Sequence, residues 1–359
     1  MNRCFRLASS KCFPFQLAAA LALRRLRALL AMAAIFPFCL AAMAQSAHYG
    51  GLTGTVSSGA KMPLGVAMDG NGNLFVVDSQ MSVVYKVQAV NGVLPPSPVV
   101  VAVGSGFKHP YGVAVDAGGN VYVADAGHGA IKKIVAVNGE VTSSSAVQTL
   151  YSNASSWPVG IAVDSNGNLF FTDEDAPKAV YEIVASGNGQ VSISSSVQTL
   201  APNSFSWAWG VSVDAQGDVF VSDHNMSTVS EIVAVNGAVS SGSALKTVVS
   251  NLAGPTSVAL DANGNLFVAE NGADDLIELA AGSWNQSATP SFRVVLGGFN
   301  DPTFLAAGLH GEIYVADTNH YLVRTITVDP PYFGKVTVGQ TRSVNLPFTF
   351  DSTTTLGST

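Results

Sequence analysis

Residues 63–78 read PLGVAMDGNGNLFVVD. An apolar run, a polar turn containing glycine, and a second apolar run ending in an acid are the pattern of two short strands joined by a hairpin. The turn also opens like a calcium loop, with oxygen-bearing side chains at alternate positions: Asp69, Asn71 and Asn73. An EF-hand loop needs Gly at position six and a bidentate Glu at position twelve. Here those positions hold Leu74 and Gln80. In the related turns opening at Asp164 and Asp261 they hold Leu169 and Asp175, and Leu266 and Gly272. The stretch therefore reads as a tight turn between strands. Its glycine takes the positive φ, and the leading Asp accepts from backbone N–H groups of the turn.

The same stretch recurs down the chain. The copies are PYGVAVDAGGNVYVAD (110–125), PVGIAVDSNGNLFFTD (158–173), AWGVSVDAQGDVFVSD (208–223), PTSVALDANGNLFVAE (255–270) and PTFLAAGLHGEIYVAD (302–317), spaced by 47, 48, 50, 47 and 47 residues. A fixed period of this length marks a solenoid or a propeller. A third apolar run follows each acid: Val84–Val87, Ile131–Ile134, Val180–Ile183, Val229–Ile232, Leu276–Leu279 and Val323–Ile326. Asn-Gly turns come next at Asn91-Gly92, Asn138-Gly139, Asn188-Gly189 and Asn236-Gly237, a dipeptide that supplies the two positive-φ residues of a tight hairpin. A fourth run then leads to the next copy. Four hairpin-linked strands per period make one propeller blade.

Counting strands predicts how the ring closes. The sixth copy meets Pro330-Pro331 after three strands. An unassigned strand, Leu52–Val56, stands where a fourth strand stands before every other copy. It is expected to complete blade six. The fold class is thus all-β: a six-bladed β-propeller with four antiparallel strands per blade, over about 45–328. An open array would leave two sheet faces bare.

The consensus P-x-G-[VI]-[AS]-V-D-x-x-G-[ND]-[LV]-[FY]-V-[AVS]-D resembles the NHL repeat. Copies four to six depart from it, with Ala208 for Pro, Ser257 and Phe304 for the first Gly, and Gly308 for Asp. The resemblance implies the propeller and leaves function open. Such propellers include metal-dependent lyases, lactonase-like relatives, sensor domains and scaffolds. An NHL-type lyase is expected to hold a metal through several channel-facing His.

The ends read differently. Arg24, Arg25 and Arg27 precede an apolar stretch that closes in Ala42-Met43-Ala44, the pattern of a signal peptide over 1–44 cleaved near Ala44/Gln45. The expected location is secreted or periplasmic, with no transmembrane span. Six of the 17 Lys and Arg, none of the 24 Asp and Glu, and all of Cys4, Cys12 and Cys39 lie in 1–44. The remainder carries 11 cations against 24 anions, a net charge of −13, and has no thiol for a disulfide or a Cys-bound metal. Such an acidic chain is not expected to bind nucleic acid. The segment 329–359 resembles the start of a bacterial immunoglobulin-like domain and is far shorter than the ~100 residues of a whole one.

Four groups of residues are candidates for chemistry. The first, the Asp-x-Asn-x-Asn turns, reads as turn chemistry. The second is a ring of acids ending the second strands: Asp78, Asp125, Asp173, Asp223, Glu270 and Asp317. As an acidic rim these would hold a cation or attract a basic peptide. On a local reading each one satisfies donors in its neighbouring loop, and its recurrence in every blade favours that. The third is the set of lead-in loops, whose non-repeated residues His109, Tyr111, Trp157, Trp207 and Trp209 fall on one face. They offer either a surface for a protein, peptide or glycan or packing between blades. The fourth is the histidines His48, His109, His128, His224, His310 and His320. No two have metal-ligand spacing, and His128 and His320 share a blade position. The expected activity is binding, by a monomeric propeller without cofactor. The alternative is a lyase or lactonase-like enzyme with Ca or Zn at the channel mouth.

Overall fold

The second strand of every copy carries an aromatic after its first apolar residue: Phe75, Tyr122, Phe170, Phe220, Phe267 and Tyr314. All six are buried. Each falls in a different apolar cluster, shared between its own blade and the next. This one position therefore fills six blade-to-blade interfaces, each ring contributing about 1.5–3 kcal/mol by leaving water.

The computed structural model describes residues 47–49, 52–175, 179–281, 292–327 and 348–350. Blade 1 is Pro63–Met68, Leu74–Asp78, Val83–Val87 and Val100–Val103. Blades 2 to 5 repeat the arrangement from inner strands Pro110–Val115, Pro158–Val163, Ala208–Val213 and Pro255–Leu260. Each is a four-stranded antiparallel sheet. Blade 6 takes Pro302–Ala307, Glu312–Asp317 and Leu322–Thr327 from its own repeat. Its outermost strand is Leu52–Val56, paired Leu52↔Thr327 to Val56↔Val323. The six-bladed propeller and its closure by the N-terminal strand are as the strand count required.

The Pro-x-Gly signature has a steric cause. A Cβ on Gly65 would lie 2.3 Å from the Tyr111 carbonyl oxygen of blade 2, and one on Gly160 would lie 2.3 Å from the Trp209 oxygen of blade 4. Only glycine lets neighbouring inner strands come this close. Where the glycine is lost the contact changes. Ser257 instead accepts the Leu305 N–H through its hydroxyl at 3.1 Å. Phe304 is buried in a cluster containing Val66 of blade 1 and Val159 of blade 3.

The inner turn is held as expected: the backbone N–H groups of Asn71 and Asn73 donate to Asp69 Oδ1 at 2.9 and 2.8 Å. The outer Asn-Gly turns divide. Asn91, Asn138 and Asn236 and their glycines all have positive φ, whereas in blade 3 Gly189 does and Asn188 does not. That blade has a longer loop, closed by Ser186 N–H to the Gln190 carbonyl and Gly189 N–H to the Ser186 carbonyl. The extra length removes the need for two left-handed residues.

A second compact unit, 1–50 with 344–359, contributes one described feature, the antiparallel pair of Ala47–Tyr49 with Phe348–Phe350. The expected signal peptide over 1–44 lies outside the described residues, as does most of the segment 329–359 expected to be immunoglobulin-like. Among the described residues no helix is long and apolar enough to cross a membrane.

Candidate functional site

The lead-in loops and the second-strand acids share one end of the ring, because Pro63 pairs with Asp78, Pro110 with Asp125, Pro158 with Asp173 and Ala208 with Asp223. The acids do not form an exposed rim. Asp78, Asp125 and Asp317 are fully buried, and Asp173, Asp223 and Glu270 nearly so. Each grips the loop leading into its own blade. The N–H of Lys61 donates to Asp78 at 2.6 Å, of Lys108 to Asp125 at 2.6 Å, of Trp157 to Asp173 at 3.0 Å, and of Asn300 to Asp317 at 2.7 Å. Asp223 takes three: Ser206 at 2.6 Å, Trp207 at 3.1 Å and Met226 at 2.9 Å. Glu270 accepts from the Ala253 N–H. In blades 2 and 6 a cation completes the clamp, with Lys132 at 2.6 Å from Asp125 and Arg324 at 2.5 Å from Asp317. His128 and His320 join these same clamps at 2.7 and 2.9 Å. Their shared blade position is thereby explained locally.

Blade 5 departs from the rest. Glu270 stands opposite Asp275 on the third strand, where the other acids face Val83, Ala130, Ala179, Thr228 and Leu322. Burial is the main cause that raises both carboxyl pKa values; the charge of Asp275 raises that of Glu270 further, and a hydrogen bond with Glu270 works against the rise at Asp275.

The clamps hold the aromatic residues over the inner ring. Tyr111, Trp157, Trp207 and Trp209 are half-buried, and His109 is exposed with its N–H donated to the Ser82 hydroxyl at 3.2 Å. Tyr111 and Trp157 meet edge to face at 6.1 Å. Trp207 and Trp209 lie 5.0 Å apart, and both touch a residue that spacing did not single out, His224, at 4.8 and 5.8 Å. Tyr111, Trp157 and Trp209 also rest on the buried cluster around Phe304 and Val159. The aromatics are thus at once packing and surface, in two groups rather than one, with His109 apart from both.

A polar chain continues from the second group. Asn271 Nδ2 donates to Asp301 Oδ1 at 3.3 Å, which leaves the Asn271 carbonyl to accept from His224 Nε2 at 3.1 Å. With Nε2 carrying the proton, Nδ1 of the neutral ring is an acceptor. Among the described residues nothing pairs with it, nor with the indole N–H groups of Trp207 and Trp209, although all three atoms are buried. On the other side, burial raises the Tyr111 hydroxyl pKa. The charge of Glu174 and, less strongly, that of Asp301 across the ring add to this, against a hydrogen bond from the Trp157 indole. Among the described residues no group of three or more His, Cys, Asp or Glu is arranged to hold a metal ion.

The family profile for the NHL repeat matches residues 107–134, which span the lead-in loop and first three strands of blade 2. No curated protein matches the chain. Solved propellers resemble it in fold. A luciferin-regenerating enzyme does so at TM-score 0.59 and 15% identity, over 77% of this chain and 95% of its own. A gluconolactonase of Xanthomonas campestris does so at 0.57 and 15%, over 77% and 89%. A chain of the nidogen/laminin complex does so at 0.51 and 16%, over 70% and 97%. At these identities the likeness establishes the architecture.

Proposed function

We propose that this propeller is an exported binding module, and that the mouth formed by Tyr111, Trp157, Trp207, Trp209 and His224 is its ligand surface. The observation that carries the reading is the group of three unpaired polar atoms inside one aromatic cluster. A buried donor or acceptor left without a partner costs about 1–3 kcal/mol, so folded proteins keep few. Two indole donors and one imidazole acceptor side by side supply capacity that the fold leaves unused and that a protein, peptide or glycan can meet. Half-exposed Trp and Tyr are also the residues that dominate binding energy at interfaces. Probing peptide and glycan arrays with the protein and with Trp209→Ala tests this. Capture lost by a variant that still unfolds cooperatively supports the mouth as the site, and undiminished capture refutes it.

A second reading, catalysis at the same mouth, is favoured by the Asp301–Asn271–His224 chain. It orients the imidazole with a lone pair toward the aromatic pocket, as a general base must be oriented. The lactonase- and lyase-type propellers among its structural likenesses are consistent with it. Turnover of lactone substrates that is lost in His224→Gln while binding persists would favour it over binding alone.

A further inference from the structure

We infer that the chain modifies itself slowly at three of its eight Asn-Gly pairs: Asn91, Asn138 and Asn236, at the tips of the outer hairpins of blades 1, 2 and 4, lose their side-chain ammonia by attack of the following glycine nitrogen, with water as co-reactant.

The glycine nitrogen bonds to the asparagine side-chain carbonyl carbon. The bond from that carbon to the amide nitrogen breaks, and ammonia leaves with the proton given up by the glycine nitrogen. Water then opens the five-membered imide at either carbonyl, giving aspartate or isoaspartate. One water is consumed and one ammonia released per site, and nothing is oxidised or reduced. Glycine favours the step because no Cβ crowds the closing ring.

The place of each pair in its turn separates the eight. In the three outer hairpins the pair is the whole loop. Val90 and Val93 exchange both backbone hydrogen bonds across it at 2.9 and 3.2 Å, Val137 and Glu140 at 2.9 and 3.1 Å, and Val235 and Ala238 at 2.8 and 3.3 Å. A two-residue loop closed in this way keeps its central N–H groups out of the ladder. Among the described residues no acceptor takes the N–H of Gly92, Gly139 or Gly237. All three asparagines are exposed. There is room for the ring as well. Nothing lies within 4 Å of where a Cβ on Gly139 or Gly237 would stand, and at Gly92 the nearest group is the His310 ring at 3.9 Å.

The other five pairs hold the same two residues and are withheld from reaction. Gly72, Gly167 and Gly264 end the inner turns and donate to the carbonyls of Asp69, Asp164 and Asp261 at 3.1, 3.1 and 3.0 Å. Gly189 donates to the Ser186 carbonyl at 2.8 Å, and Gly272 to the Ala253 carbonyl at 2.9 Å. Packing adds to this at two of them. A Cβ on Gly72 would lie 2.5 Å from the Gly92 oxygen, and one on Gly167 would lie 2.1 Å from the Gly189 oxygen. Giving up a backbone hydrogen bond slows the attack about tenfold, ~1.4 kcal/mol on the barrier. Each event adds a carboxylate to an acidic protein. It does so at the end of the ring away from the mouth, because Val87, which leads into the outer hairpin, pairs with Leu74 while Pro63 pairs with Asp78.

Incubating the whole folded protein in mildly alkaline buffer, and following its digested peptides by mass spectrometry, tests the inference. Aspartate and isoaspartate products are separated by chromatography. Amide loss is expected at Asn91, Asn138 and Asn236 about tenfold faster than at any of the other five. In guanidinium chloride all eight are expected to react at similar rates, because the protection belongs to the fold. Three results overturn the inference: even loss over all eight in the folded protein, no loss at the three, or the same preference for the three after unfolding.

Discussion

Replacing Asp223 by Ala separates a buried clamp from a surface acid. Asp223 is 1% exposed and accepts three backbone N–H groups, from Ser206, Trp207 and Met226. A hydrogen bond to a charged group contributes about 1.5–3 kcal/mol. Three summed in full would exceed the real loss, because the loop donors are only part-buried and water reaches some of them once the carboxylate is gone. A destabilisation of about 3–5 kcal/mol is expected. Asp223→Asn keeps one acceptor oxygen and the side-chain volume, and is expected to lose about 1–2 kcal/mol on the same scale. Urea unfolding followed by far-UV circular dichroism measures both, with an unchanged m-value confirming that the folded state is intact. An exposed acid changes stability by no more than about 0.5 kcal/mol. If Asp223→Ala falls in that range, the clamp is wrong and the acid ring is a charged rim after all.

Other consequences are equally specific. Gly160→Ala puts a methyl 2.3 Å from the Trp209 carbonyl oxygen; overpacking of this kind costs about 1–3 kcal/mol and is expected to lower the urea midpoint accordingly. Phe220→Ala empties the interface between blades 4 and 5 and is expected to cost about 3–5 kcal/mol by the same assay. The Glu270–Asp275 pair has raised pKa values in the folded state, so its contribution is complete below the unfolded carboxyl range and is lost as pH rises through the folded values. Asp275→Asn removes the repulsion and is therefore expected to stabilise by about 1 kcal/mol at pH 7, with the gain shrinking toward pH 4. A gain independent of pH would contradict that account of blade 5.

The fold was legible because the physics of the inner hairpin repeats. The turn glycine must take positive φ, Gly65, Gly112, Gly160 and Gly210 must admit a neighbouring strand, and one aromatic must fill each interface. Those demands recur every blade and write a period into the sequence. The closing strand followed from arithmetic alone. The site was only partly legible for the converse reason, since binding residues do not repeat. Trp157, Trp207, Trp209 and Tyr111 stood out against Met62, Gly254 and Asp301, and Leu64, Val159, Thr256 and Thr303, at equivalent positions. His224 entered only as one of six histidines and Asn271 not at all, although the position just after each second-strand acid reads Ser79, Ala126, Glu174, His224, Asn271 and Thr318 and is as variable as the lead-in loops. That variability was the available signal. The pairing of His224 with Asn271, 47 residues apart, exists only once adjacent blades stand side by side. The recurrence of the acid ring in every blade already favoured a local role over a rim, and what the sequence hid is which loop N–H groups each carboxylate accepts.

The central claim is that the aromatic mouth keeps polar capacity for a ligand at the expense of stability. Changing Trp207 and Trp209 together to Phe tests it most directly, because phenylalanine preserves much of the ring contact and deletes two unpaired buried N–H groups. The account predicts that the urea midpoint rises or holds, since about 1–3 kcal/mol per orphaned donor is relieved against a smaller ring, while array capture falls. A lower midpoint with capture unchanged would contradict it.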